Sequence, residues 1–171
     1  MPHVQSFAPL GDPHARILIL GSMPGEASLR VQEYYAHPRN AFWPIMGQLF
    51  GFDSGLPYTE RVRCLITARV AVWDVLATCH REGSLDAEID DASSTVNDFA
   101  AFLRDHPLVR SIFFNGAKAE SCFLKWVRPH LILSGISLQR LPSTSPANAS
   151  FSLEQKLQAW EAIRGSGQSL S

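Results

Sequence analysis

Between Tyr34 and Trp43 the chain reads YYAHPRNAFW. Two tyrosines, a histidine, an arginine and an asparagine stand there beside a Phe-Trp pair, interrupted by one proline. Such polar groups are costly to bury unless each finds a hydrogen-bond partner. Rings interleaved with amide, imidazole and guanidinium groups suit the gripping of something flat and polar. Two other stretches are rich in turn-forming and hydroxyl residues, GSMPG (21–25) and LPSTSPAN (141–148). In the first, Gly21 and Gly25 permit a tight turn and close approach by a ligand, while Pro24 fixes its own φ and has no N–H. In the second, small hydroxyl side chains and backbone N–H groups suit phosphate oxygens, a contact that grips a strand without reading its sequence. Asp74 is a lone carboxylate in the apolar run VWDVL. It can accept an N–H that neighbours a carbonyl, act as a general base, or simply close a strand end.

Other chemistries are disfavoured. GSMPG has neither GxGxxG nor GxxxxGK[ST], so no nucleotide cofactor is expected. It is not the GxSxG elbow either, which weakens Ser22 as an acyl-transfer nucleophile. Cys64, Cys79 and Cys122 are three in number with no CxxC spacing, which argues against a disulfide framework, a zinc module or an iron–sulfur site and for reduced thiols. The formal charge is −1 over 171 residues. A nucleic-acid partner would then be held by a local patch, for which Arg39, Lys118, Arg128 and Arg140 are candidates, and not by a global field. The N-terminus has no basic start followed by an apolar core, and no apolar run approaches the ~20 residues of a membrane span, so a cytoplasmic protein without membrane contact is expected.

The elements that must position these residues follow from hydrophobic patterning. The apolar run 17–20, ended by Gly21, reads as a strand buried on both faces, and the loop after such a strand is a candidate site. Phe42, Ile45, Met46 and Leu49 have helical spacing and stop at Gly51, and residues 58–69 form a second helical stretch. A second strand is expected over 70–76, a polar surface excursion over 78–94, a helix over 95–105, a third strand over 110–115 and a helix over 117–126. A fourth strand near 136–140, a Ser/Pro-rich loop and a last helix over 153–164 complete the order. Alternating strands and helices predict a three-layer α/β/α sandwich around about four mostly parallel strands, in a single domain over 1–171 with 1–14 and 165–171 as flexible ends.

Taken in order, GSMPG, AHPRNAFW and LPSTSPAN resemble the uracil-DNA glycosylase superfamily, and are most similar to its hypoxanthine-DNA (deoxyinosine) glycosylase family. The resemblance covers nearly the whole chain from Ile17. It implies a monofunctional enzyme, without metal or cofactor, that flips a deaminated base (hypoxanthine, with uracil and xanthine as further candidates) out of DNA and hydrolyses its N-glycosidic bond in base excision repair. It implies a monomer in the cytoplasm, associated with the nucleoid.

Carried over to this sequence, the resemblance gives Asn40 the role of orienting the attacking water and Tyr35 that of stacking on the base. Asp74 reads the base edge or activates the water. Gly21, Ser22, Met23, Phe42 and His37 fall to base binding, His37 holding Asn40 or meeting a phosphate. Pro24, Gly25, Ser143, Thr144, Ser145 and Asn148 fall to phosphate contacts. Met23 stands where many superfamily members have an Asp or Asn, and Leu141 stands where the second motif has a histidine. Both departures point away from classical uracil chemistry. The alternatives are a mismatch-type uracil/thymine glycosylase, a non-catalytic nucleic-acid or nucleobase-binding domain, and a small-molecule hydrolase using Ser22.

Overall fold

The computed structural model describes residues 2–166. The chain begins with β1 (His3–Gln5), β2 (Ile17–Gly21), α1 (Glu26–Val31), α2 (Phe42–Phe50) and α3 (Tyr58–Thr67). It continues through β3 (Val70–Asp74), β4 (Leu76–His80), β5 (Asp90–Val96) and α4 (Phe99–Asp105). It ends with β6 (Ser111–Asn115), α5 (Ala117–Cys122), β7 (Ser137–Leu141), α6 (Leu153–Trp160) and α7 (Ala162–Ser166).

Four of these strands form a parallel sheet in the order β3-β2-β6-β7. Its register pairs Leu18 with Ala71 on one side and Ile112 on the other. Every residue of β2, β3 and β6 is buried, as required of strands covered on both faces. Successive side chains leave opposite faces of a strand, so the sheet divides two cores. Leu18, Leu20, Ala71, Trp73, Ile112 and Phe114 pack with Phe99, Phe102 and Phe123 from the α4/α5 side. Ile17, Ile19, Val70, Val72 and Phe113 pack with Phe42, Met46, Leu65 and Trp160 from α2, α3 and α6. The expected α/β/α layering with four parallel strands is therefore present. In α2 the helix stops at Gly51, whose φ of 76° supplies the left-handed cap, a conformation that glycine adopts without strain.

Other expectations fail. The apolar run 70–76 is not one strand: it divides after Asp74, and Leu76 begins β4. That strand lies in a second, antiparallel sheet of order β1-β4-β5. Residues 78–94, expected as a surface excursion, contain most of β4, a 3₁₀ turn at Asp86–Glu88 and most of β5. None of the seven residues of β5 is buried, so the strand carries no apolar alternation to read. Thr95 is part of β5 and opposes Thr78. The helix expected from 95 accordingly starts at Phe99, where Asp98 accepts from the Ala101 N–H at 3.0 Å as an N-cap. Helix α1 was not foreseen, and the final helical stretch divides at Glu161 into α6 and α7. Of the ends expected to be flexible, the first supplies β1 and a bridge from Leu10 to Val72, while residues 167–171 lie outside the described residues. Cys64, Cys79 and Cys122 are free thiols.

Candidate functional site

Parallel strands end at one common edge, and there the last residues of all four, Gly21, Asp74, Asn115 and Leu141, line a single cleft of about 1110 Å³. This is the edge at which open α/β sheets take ligands. The loops that leave it extend its walls, 22–26 after β2 and 142–148 after β7.

The decapeptide 34–43 divides between core and cleft. Tyr34 is buried with its hydroxyl donating to the Ala8 carbonyl at 2.8 Å, and the Trp43 indole N–H donates to the Tyr34 carbonyl at 2.9 Å. Phe42 is fully buried and does not line the cleft; its ring stacks behind Tyr35 with centroids 4.1 Å apart. It meets Trp43 and Trp160 edge-on, so it backs Tyr35 and presents no face of its own to a ligand. Tyr35, His37, Arg39 and Asn40 do line the cleft. Asn40 Oδ1 accepts from the Phe42 N–H at 2.9 Å, which fixes the side chain at the start of α2. His37 touches Asn40 through its backbone: the His37 carbonyl accepts from the Asn40 N–H, and its ring Nδ1 accepts from the Arg39 N–H at 3.0 Å. With Nδ1 used as an acceptor, the ring's proton sits on Nε2.

Gly21 allows the closest approach in the site. A Cβ added there would stand 2.5 Å from Asp74 Oδ1 and 2.9 Å from the Tyr35 hydroxyl. Both side chains therefore converge on one point beside the backbone of β2. Tyr35 reaches it with φ of 56°, a left-handed conformation that costs a non-glycine residue about 1–2 kcal/mol. The Tyr35 hydroxyl and Asp74 Oδ2 are buried without hydrogen-bond partners. Burial, and then the Asp86 carboxylate, pushes the Asp74 pKa up to about 7, with Arg81 pulling the other way. Burial is also the first cause of the raised Tyr35 pKa, with the Asp74 charge second.

The loop 142–148 is held from several directions. Asn115 Oδ1 accepts from the Thr144 N–H at 2.9 Å, and its Nδ2 donates to Thr144 Oγ1 at 3.0 Å. The Thr144 carbonyl in turn accepts from the Ala41 N–H at 2.9 Å. One clamp thus ties the strand β6 end, this loop and the residue after Asn40 together. The Trp160 indole N–H donates to the Pro142 carbonyl at 2.9 Å, and Lys156 donates to the Ser145 carbonyl at 3.2 Å. Asn148 closes the loop on itself by donating to the Ser143 carbonyl at 3.1 Å. Thr144 is 1% exposed, so it is a structural member of the clamp and not a surface hydroxyl. Ser143 and Ser145 remain on the wall.

The opposite wall comes from the β4–β5 connection. Arg81 is 1% exposed; its guanidinium donates to the Pro24 carbonyl and, at 2.9 Å, to the Gly83 carbonyl, while Nη1 has no partner. Ser84 Oγ accepts from the Glu26 N–H at 2.8 Å, and Asp86 Oδ1 accepts from Ser22 Oγ at 2.6 Å. These three contacts fasten the connection along the loop 22–26. Ser84, Leu85 and Asp86 line the cleft.

The model of the uracil DNA glycosylase superfamily matches residues 8–164. The chain belongs to that superfamily. Two proteins named hypoxanthine DNA glycosylase are similar over nearly the full length. That of Methanosarcina acetivorans is 36% identical over 160 residues, 93% of this chain and 96% of that protein. That of Methanosarcina barkeri is 34% identical over 157 residues, 91% of this chain and 94% of that protein. A solution NMR structure from Methanosarcina acetivorans, described as a uracil DNA glycosylase, superposes with a TM-score of 0.80 at 35% identity, covering 95% of this chain and 97% of that one.

In this superfamily member the cleft gathers Asn40, Asp74, Tyr35, Gly21, Ser22, Met23, His37, Pro24, Gly25, Ser143, Thr144, Ser145 and Asn148, and leaves Phe42 outside. Of the four candidate rim cations, Arg39 and Arg140 line the cleft, joined by Arg30 from α1, with Arg140 paired to Glu120 at 3.4 Å, whereas Lys118 pairs with Asp91 at 2.6 Å and Arg128 lies elsewhere. Asn115, the last residue of the expected third strand, also lines the cleft, and its place at a strand end is the signal that points to it. Asp86 had no such signal: it stands in a run of turn residues, and only the second sheet brings it to Ser22. No cluster of residues among those described could hold a metal ion, and no helix among them is long and apolar enough to cross a membrane.

Proposed function

We infer that the chain is a DNA glycosylase that hydrolyses the N-glycosidic bond of a deaminated base flipped from DNA, with hypoxanthine as its first substrate. One observation carries this reading: Asn40, Tyr35 and Asp74 meet in one cleft with both motif loops, at the carboxyl edge of the sheet. The names of the two relatives support the choice of hypoxanthine. Such a base can be reached only out of the stack, and a cleft walled by two loops is the receptacle that extrusion requires.

Within this reading, Asn40 orients the water. Its Oδ1 is fixed by the Phe42 N–H, so the amide is pre-aimed and has a donor and a remaining lone pair for water, while an amide is too weak a base to take a proton outright. Asp74 reads the edge on which an N–H neighbours a carbonyl, the feature that hypoxanthine has and adenine lacks. Tyr35, backed by Phe42, supplies the flat surface beside the base. Arg30 and Arg39, with Arg140 shared between the cleft and Glu120, supply the local positive rim that a chain of near-zero net charge needs to hold phosphates.

The test is a set of duplexes carrying hypoxanthine, uracil, xanthine or thymine opposite each normal base, assayed for abasic-site formation. Hypoxanthine release is expected from the wild type, and Asn40→Ala is expected to lower its single-turnover rate by about 10²-fold or more. Asn40→Ser, which keeps an oxygen able to accept from the Phe42 N–H, separates loss of the cap from loss of the water. DNA binding with no base released by the wild type would refute the enzyme reading.

A further inference from the structure

Cleavage of the C1′–N9 bond leaves the deoxyribose with positive charge, and enzymes stabilise such charge with preorganised groups of opposite sign. In this cleft the third position of the first loop is Met23, which has neither charge nor amide. A carboxylate nevertheless reaches that loop from elsewhere in the chain. Asp86 Oδ1 accepts from Ser22 Oγ at 2.6 Å, one residue before Met23. Its position is fixed by two further contacts of the same segment, Ser84 Oγ with the Glu26 N–H at 2.8 Å and the Arg81 guanidinium with the Pro24 carbonyl. Ser22, Met23 and Asp86 all line the cleft. Asp86 is close enough to Asp74 for its charge to raise that group's pKa.

A carboxylate at this place repels DNA phosphates and attracts a cation. We propose that Asp86, held by Ser22 from the second sheet, supplies the negative charge that faces the sugar as it becomes cationic, the charge that Met23 cannot supply. The inference rests on the glycosylase reading. In the step, the C1′–N9 bond breaks with its electron pair going to the base. The water oxygen then bonds to C1′, and the proton that the water loses balances the one gained by the departing base. Asp86 neither gains nor loses a proton.

The experiment compares duplexes containing a pyrrolidine abasic-site mimic, which is cationic, with duplexes containing the neutral tetrahydrofuran mimic. Wild-type protein is expected to bind the cationic site about 10-fold more tightly or better. Asp86→Asn keeps an oxygen that accepts from Ser22, so the loop stays fastened while the charge is lost. In that variant the preference is expected to fall several-fold, Asp74 in the same cleft accounting for what remains, with affinity for an unmodified duplex equal or higher, and single-turnover release of hypoxanthine is expected to fall by about 10-fold, Asp86 being exposed to solvent. Asp86→Glu is expected to restore part of the preference. No preference in the wild type, or a preference undiminished in Asp86→Asn, overturns the proposal. A wild type that releases no hypoxanthine overturns the glycosylase reading, and the two mimics still decide the role of Asp86, because their binding does not depend on turnover.

Discussion

Asp74→Asn is expected to make the protein more stable above neutral pH and to leave its stability almost unchanged in acid. Asp74 is 3% exposed and its Oδ2 has no partner. Burial and the neighbouring Asp86 charge lift its pKa from 3.8 to about 7. The native state therefore keeps a proton that the unfolded chain releases, so stability is highest below the unfolded value and falls as pH rises toward the folded one. A displacement of this size, at 1.36 kcal/mol per pH unit, corresponds to about 4 kcal/mol once the group is fully ionised. Asparagine keeps the shape and cannot ionise. Any hydrogen bond that its amide gains or loses is an offset independent of pH. Arg81, Asp86 and Tyr35 are common to both proteins and cancel in the difference. Urea unfolding of wild type and Asp74→Asn at intervals from pH 5 to pH 9 should show a stability difference that grows by about 1.4 kcal/mol per unit toward pH 7 and then levels. A difference that does not change with pH would mean that the carboxylate is solvated, and the account of the site as a desolvated edge reader would fall with it.

The same titration bears on activity: an ionised carboxylate accepts an N–H more strongly than a protonated carboxyl group, so binding of a hypoxanthine-containing duplex should strengthen as pH rises through about 7, and a flat profile over that range would contradict the role given to Asp74. Gly21→Ala would set a methyl group 2.5 Å from Asp74 Oδ1 and 2.9 Å from the Tyr35 hydroxyl. Displacement of both side chains should lower single-turnover base release by about 10²-fold; an unchanged rate would show that their convergence is irrelevant. Asn115→Ala removes both hydrogen bonds that clamp Thr144. A loss of about 1–3 kcal/mol in unfolding free energy, together with weaker duplex binding by fluorescence anisotropy, is expected, and full affinity would refute the clamp.

The parallel sheet was readable because its strands are continuous apolar runs punctuated by glycine and polar ends, and because alternating helices leave few topologies for them. The antiparallel sheet was not. β5 has no buried position, and β4 follows β3 with only Val75 between them, so one apolar run serves two sheets. Helix α4 started late for the same reason, since Thr95 has a partner across a strand that local sequence does not announce. Of the residues that line the cleft, Asn40 and Tyr35 were singled out by the family resemblance, and Asp74 also by its place as a lone carboxylate in an apolar run. Phe42 was misplaced because an aromatic at the start of an amphipathic helix reads alike whether it lines a cleft or backs a ring that does.

What the sequence by itself determined is local chemistry and periodicity: which residues can donate, accept or turn, which runs must be buried on both faces, and hence that the loops after parallel strands lie at one edge. Only the tertiary structure decided which polar groups face each other. Asp86 reaches Ser22 across 64 positions of chain, Asn115 reaches Thr144 across 29, and Arg81 reaches Pro24 across 57. Such pairings are set by how the second sheet and the β7 loop close over the parallel sheet, and a hydrogen bond between distant residues leaves no pattern in the segments that make it.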